Sequence, residues 1–193
     1  MKSTVSFLLR LSLGLLLLAG LSLALGVQVR SAHAATKTTI TTCDEATLRT
    51  AINNANSGDT IAFGCNGDIL LTSPLSINTN LTIDGSGQSV TLDGQQQHTI
   101  MVVAFQATLT LNAITFANGN GNSIGASGGL WIDGSANITN STFTGNSWTS
   151  TGSPDGGAIG NEGGGTLTIS NSTFSGNSAG LAGGASRTFS GVR

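Results

Sequence analysis

Charge is what this sequence carries least of: seven Lys and Arg, nine Asp and Glu, and two His in 193 residues. Three of the seven cations, Lys2, Arg10 and Arg30, stand near the start, so four basic side chains face nine acidic ones in the rest, a balance of −5. Nothing basic remains there to hold nucleic acid or an anionic lipid surface. The polar composition does not by itself imply disorder. Disordered chains combine high net charge with low hydrophobicity, whereas this one keeps regular apolar triplets. Cysteine is scarce as well. Cys43 and Cys65 are the only pair, with His98 the nearest other ligand type, which argues against a structural zinc site. In an exported chain such a pair predicts one disulfide. Closing a loop of about 22 residues, it would contribute roughly 3 kcal/mol on chain-entropy grounds.

Long apolar runs are missing too, with one exception. "LSLGLLLLAGLSLALGV" (Leu11 to Val27) follows a short basic start and precedes small residues at Ala32 and Ala34. Basic start, apolar middle and A-x-A end predict a secretory signal peptide over residues 1–34, cut between Ala34 and Ala35. The same run, left uncut, is nearly long enough for a membrane anchor. Either outcome predicts a secreted or cell-surface protein that meets a membrane only through export or an anchor.

What the sequence has in quantity is repetition. "NSTFTGNS" at 140–147 returns as "NSTFSGNS" at 171–178. Apolar triplets mark the same period: "LTI" at 81–83, "LTL" at 109–111, "NIT" at 137–139 and "LTI" at 167–169. Asn112, Asn140 and Asn171 precede Phe116, Phe143 and Phe174, and Gly pairs stand at 128–129, 156–157 and 183–184. Marks of three kinds keeping a step of about 28 residues indicate a repeat array. Within each repeat the alternation has period two, and Gly, Asn and Asp clusters separate segments too short for helices. This predicts an all-β solenoid of stacked coils, a parallel β-helix. Stacking would put Asn112, Asn140 and Asn171 in an amide ladder at an inner turn and the three phenylalanines in a core stack.

Residues 35–64 read as a cap. Leu48, Ala51, Ile52 and Ala55 form an apolar stripe at helical spacing, with Thr42 and Glu45 as a capping box and Gly58 past the end. "TIAF" (60–63) reads as the first strand. An amphipathic helix here would cover the mouth of the solenoid, pinned by Cys43–Cys65. Residues 65–193 hold the coils. After Gly183-Gly184 only nine residues remain, which predicts an incomplete last coil and a C-terminally truncated array.

Gly-Gly-Ala-Ile at 156–159, with Phe143-x-x-Asn146 and Phe174-x-x-Asn177, resembles the repeat pair of polymorphic outer-membrane-protein and autotransporter-type passenger domains. The Cys43…Leu48-Arg49-x-Ala51-Ile52 segment is similar to the N-terminus of secreted bacterial β-helix proteins of the pectate-lyase-like superfamily. The resemblance spans most of residues 41–185 and implies a right-handed coil. It fixes no chemistry, because that superfamily includes adhesins, surface stalks, lyases and hydrolases. Phe116 departs from the pattern, having Gly119 where the motif has Asn.

Catalytic signals are thin. The related enzymes imply wall-side carboxylate clusters, an Asp-Asp pair, His-Gly or Arg-x-Lys, and the last three are absent from the sequence. His98, in "QQQHTIMVV", reads as a turn or edge residue, and Arg49 belongs to the cap helix. Asp133, Asp155 and Glu162 form the one candidate constellation, a calcium site of carboxylates on one side of the coil. The plainer reading is Asp-Gly turn chemistry, seen also at Asp84 and Asp93. Trp131 reads as strand packing. Trp148, in "NSWTSTGSP", reads as an exposed loop contact for a ligand. Four N-x-S/T triplets read as repeat grammar, and "GNGNSIG" lacks the lysine of a phosphate loop.

The resulting expectation is a monomeric, exported β-helix acting as an adhesin-like or structural passenger without catalysis, touching an extracellular glycan or a surface protein, with calcium the one cofactor in question. The alternatives are a polysaccharide lyase or hydrolase whose active coils lie elsewhere, and a spacer whose length alone matters.

Overall fold

Alternating apolar residues close into coils here because each strand buries one face and leaves the other wet. In the computed structural model, residues 33–149, 156–162 and 164–180 are described, together with the backbone of 186–188. The expected signal peptide over 1–34 lies almost wholly outside them, as does Asp155. Ala34 and Ala35 are exposed and outside any regular element. No helix among the described residues is long and apolar enough to cross a membrane.

The chain enters with strand β1 (Lys37–Ile40) and helix α1 (Glu45–Asn54). The first coil is β2 (Asp59–Phe63), β3 (Gly67–Leu70) and β4 (Leu75–Ile77). The second is β5 (Leu81–Asp84), β6 (Val90–Asp93) and β7 (Met101–Val103), and the third is β8 (Thr108–Asn112), β9 (Thr115–Ala117) and β10 (Leu130–Ile132). The fourth adds a short strand: β11 (Ser135–Thr139), β12 (Thr142–Thr144), β13 (Ser147–Trp148) and β14 (Ile159–Asn161). The fifth repeats that plan with β15 (Leu167–Ser170), β16 (Thr173–Ser175), β17 (Ser178–Ala179) and β18 (Ser186–Thr188).

Every pairing is parallel and joins equivalent strands of successive coils. The first wall orders β1-β2-β5-β8-β11-β15, the second β3-β6-β9-β12-β16 and the third β4-β7-β10-β14-β18. This is the expected parallel β-helix, mostly strand with one short helix near its start. The first strand, however, is β1 rather than residues 60–63. Lys37 to Ile40 pair with Thr60 to Phe63, a contact invisible to spacing because α1 intervenes.

Register makes side-chain columns. Ile61, Ile83, Leu111, Ile138 and Ile169 stack on the first wall. On the second, Ile69, Leu92, Phe116, Phe143 and Phe174 align. The rings stack at 4.8 Å (Phe116–Phe143) and 5.1 Å (Phe143–Phe174), within the range that favours offset aromatic pairs. Two repeat marks slip by one residue. Leu109 stands opposite Ala136 and Ala136 opposite Leu167, so "ANI" rather than "NIT" is the equivalent triplet. Leu130 stands opposite Ile159, which sets Gly128 beside Gly157 rather than Gly156. Inward-facing volume fixes the register, and one slipped residue would turn every side chain over.

Helix α1 caps the mouth by burying Leu48 and Ile52, with Ala51 and Ala55 partly buried against the core. Its N-cap is Asp44, not Thr42: Thr47 N donates to Asp44 Oδ1 at 2.7 Å. Glu45 therefore opens the helix and is used elsewhere, accepting from Arg49 and from Thr72 N and Oγ1. Arg49 in turn donates to Pro74 O and Ser73 O, tying the helix to the β3–β4 connection. Cys43 and Cys65 are bonded, with Cα atoms 5.7 Å apart.

Candidate functional site

The corner between the third and first walls changes length from coil to coil. Residues 78–80 connect β4 to β5, 104–107 connect β7 to β8, 133–134 connect β10 to β11, and 162–166 connect β14 to β15. The shortest connection lies between two longer ones, so the corner is notched there. The notch is a cleft of about 220 Å³ lined by Phe105, Gln106, Thr108, Asp133, Ser135 and Gly165, among others.

Each part has a local cause. Ala107 N donates to Ala104 O at 3.0 Å, closing a tight turn that pushes Phe105 outward. Gln106 takes the left-handed conformation with φ 67°, and Phe105 is left 70% exposed. The floor is Asp133-Gly134, held down by Asp133 N to Val103 O and Ser135 N to Ala107 O, both at 2.9 Å. A Cβ on Gly134 would lie 2.2 Å from Ala107 O, so only glycine lets this turn sit so low. Trp131 Nε1 donates to Asp133 Oδ1 at 3.1 Å, which fixes the carboxylate's orientation. Ser135 Oγ accepts from Thr166 N at 3.0 Å.

Two larger cavities offer less chemistry. One of about 380 Å³ runs between α1 and β1, lined by threonines, alanines, asparagines and Asp59. Another of about 250 Å³ on the second wall is lined by Gln88, Thr91, Thr115, Asn140 and Thr142. Among the described residues, no aromatic ring lines either. Sequence reasoning passed over Phe105 because it carries no repeat mark. Its one signal is being a phenylalanine out of step with Phe116, Phe143 and Phe174.

Of the calcium trio, Asp133 and Glu162 are described and Asp155 lies outside the described residues, among which no three His, Cys, Asp or Glu side chains group to hold a metal ion. Asp133 sits in the notch with one oxygen taken by the indole, and Glu162 is exposed in the neighbouring turn. The aspartates at Asp-Gly steps do turn work. Asp84 accepts from Ser86 N and Oγ, and Asp93 from Gln95 N and Asn118 Nδ2. The Ser86 hydroxyl, with the Ser86 amide and Asn112, holds the Asp84 carboxyl below the usual range against the opposing effect of burial. His98 is half-buried in the turn after Gly94, where its amide donates to Gly94 O.

Trp148 requires correction. Expected as an exposed contact, it is 1% exposed. Strand β13 brings it beneath residue 121, whose missing Cβ would lie 2.6 Å from the indole Cδ1. Packing of the extended turn, not solvent, takes the ring.

The amides form two ladders rather than one. On the outer side, Asn112 Nδ2 donates to Asp84 Oδ1 at 3.0 Å and Asn140 Nδ2 to Asn112 Oδ1 at 2.7 Å. Asn171 adds no bond to Asn140 among the described residues, and its register partners are Asn140 and Ala113, all three with left-handed φ near 50°. The inner ladder uses Asn146 and Asn177. Asn146 Oδ1 accepts from Gly119 N at 2.8 Å, and its Nδ2 donates to Phe116 O and Asn177 Oδ1, both at 3.0 Å. Asn177 Nδ2 donates to Phe143 O at 2.9 Å. Gly119 replaces asparagine at the third coil because its Cβ would meet Gly128 O at 2.0 Å.

No protein-family model matches this chain, and no curated protein and no solved structure matches it.

Proposed function

We propose that the protein is an exported, extracellular or cell-surface β-helix of the pectate-lyase-like, autotransporter-passenger type, serving as a non-catalytic display scaffold that engages its partner through corner turns. The supporting observation is the division of labour between walls and corners. The walls keep one register through all five coils, while the connections between the third and first walls vary in length. A rigid scaffold with variable turns is a common way of placing binding residues. The wall and cap carboxylates Asp44, Glu45, Asp84 and Asp93 are engaged in caps and turns, where they accept from backbone N–H groups.

The test is to follow the native product by intact mass in cells and medium, then to incubate it with pectin-like polymers. A chain found outside the cell or on its surface, and forming no unsaturated or reducing ends, fits the scaffold. Steady release of such ends would overturn it in favour of a lyase or hydrolase. A product confined to the cytoplasm would overturn it as well.

A further inference from the structure

We propose that the notch at the corner of the third coil is a binding site for one neutral pyranose ring, the end or a branch of a glycan. A single exposed apolar residue is ordinary on a protein surface. Phe105 is set apart by its neighbours. Its ring, 70% exposed, stands on a turn fixed by a hydrogen bond and a left-handed Gln106, above a carboxylate whose second oxygen is not used by the indole. Thr108, Ser135 and Gln106 add uncharged donors and acceptors around the same space.

That combination matches the two-sided chemistry of a sugar. One face of a pyranose presents C–H groups, which lie flat on an aromatic ring. Its rim presents hydroxyls, which donate to a carboxylate and exchange hydrogen bonds with threonine, serine and amide groups. The volume of about 220 Å³ lies below the roughly 300–1,000 Å³ of ordinary ligand pockets, so the notch takes one ring and not a chain. No Lys or Arg among the described residues lines it, so an anionic sugar would bring its carboxylate to Asp133 without a compensating cation from them. A quaternary ammonium would need several rings around it, and the notch offers one. This inference deepens the scaffold reading by naming what one of its corner turns holds, and its test in solution does not depend on where the protein works.

The two tryptophans provide the readout. Trp131 donates its indole N–H to Asp133, whereas Trp148 is buried in the coil and makes an internal reference. The purified protein is titrated with methyl β-glucoside, methyl β-galactoside and methyl α-mannoside into the tens of millimolar, and the two indole N–H cross-peaks are followed by NMR. At least one glycoside is expected to move the Trp131 peak saturably while Trp148 stays still. Phe105→Ala should weaken that binding about tenfold and Phe105→Trp should retain it. Asp133→Asn keeps an acceptor for the indole but removes the charge, and should also weaken it. An unmoved Trp131 peak with all three glycosides overturns the proposal. So does equal binding by Phe105→Ala with both cross-peaks at their native positions. Galacturonate or choline binding where the glycosides do not would overturn it too. None of these results bears on location or product release, so failure here is separate from failure of the scaffold reading.

Discussion

Asn146 should be the most demanding polar side chain in the coil. It is fully buried, and its amide serves two backbone groups that face no water: the Gly119 N–H and the Phe116 carbonyl. Replacing it with alanine strands the Gly119 N–H, whereas the Phe116 carbonyl keeps its place in the ladder with β12. A buried backbone N–H left without a partner costs about 1–3 kcal/mol, and Asn146→Ala should lose about that much. For a chain of this size that corresponds to a Tm lower by roughly 2–12 °C. Asn112→Ala is the control. Asn112 also makes several bonds, to Asp84, Ser86, Thr139 and Asn140, but on the wet side of the wall. Water can replace them, and the loss should stay below about 1 kcal/mol. A third variant, Asn146→Asp, keeps the acceptor for Gly119 N–H. It loses the donor and sets a charge against the Phe116 carbonyl and Asn177 Oδ1. It should be no more stable than Asn146→Ala near neutral pH and recover part of the loss in acid. Urea unfolding followed by circular dichroism and by tryptophan fluorescence would supply the values. If Asn146→Ala proves no worse than Asn112→Ala, the inner ladder is not what holds the turns together.

Trp148→Ala should cost about 3–5 kcal/mol, the usual loss for a buried aromatic ring, without changing any ligand response at Trp131; a variant as stable as the parent would return Trp148 to the surface. Breaking Cys43–Cys65 by reduction or by paired serine substitutions should cost about 3 kcal/mol, read as a lower urea midpoint. The pH dependence has a definite sign. Asp44 is held below the usual carboxylate range by its bonds from Thr47; for Glu45, burial pulls upward but is outweighed by Arg49 and Thr72. Asp84 is lowered likewise. With folded values below unfolded ones near pH 4, the unfolded chain binds more protons as acid is added. The stability contributed by these groups is complete above about pH 5 and is lost on descending below about pH 4. A Tm that held steady or rose between pH 5 and pH 3 would contradict those bonds.

Most of the architecture was legible because a solenoid writes its period into the chain. Phe116, Phe143 and Phe174 kept step in sequence and stack in space. The errors have a common physical origin. Letter-matched triplets and turn glycines both serve as register marks, but letters and turns can shift by a residue while inward volume cannot. Hence "NIT" was matched where Ala136 holds the core position, and Gly156 where Gly157 does. Asn146 and Asn177 stood in plain view in the Phe-x-x-Asn motif, but spacing does not say which of two asparagines points inward. The burial of Trp148 depends on Gly121 a whole coil earlier, a tertiary contact with no local trace. Phe105 was missed for the opposite reason: it belongs to no repeat, and a search for regularity discards what is singular.

The uneven connections at the notched corner also bear on how such a protein can change. Between Ile77 and Leu81 three residues suffice, between Ile132 and Ser135 only two, and between Asn161 and Leu167 five, yet the strands on either side meet their partners without a slip in alignment. The corner therefore works as a splice point, where sequence can be gained or lost without notice to the walls. A foreign epitope or ligand loop inserted at residues 162–166 should be carried as cargo, while the same insertion within a wall strand would throw every coil beyond it out of phase.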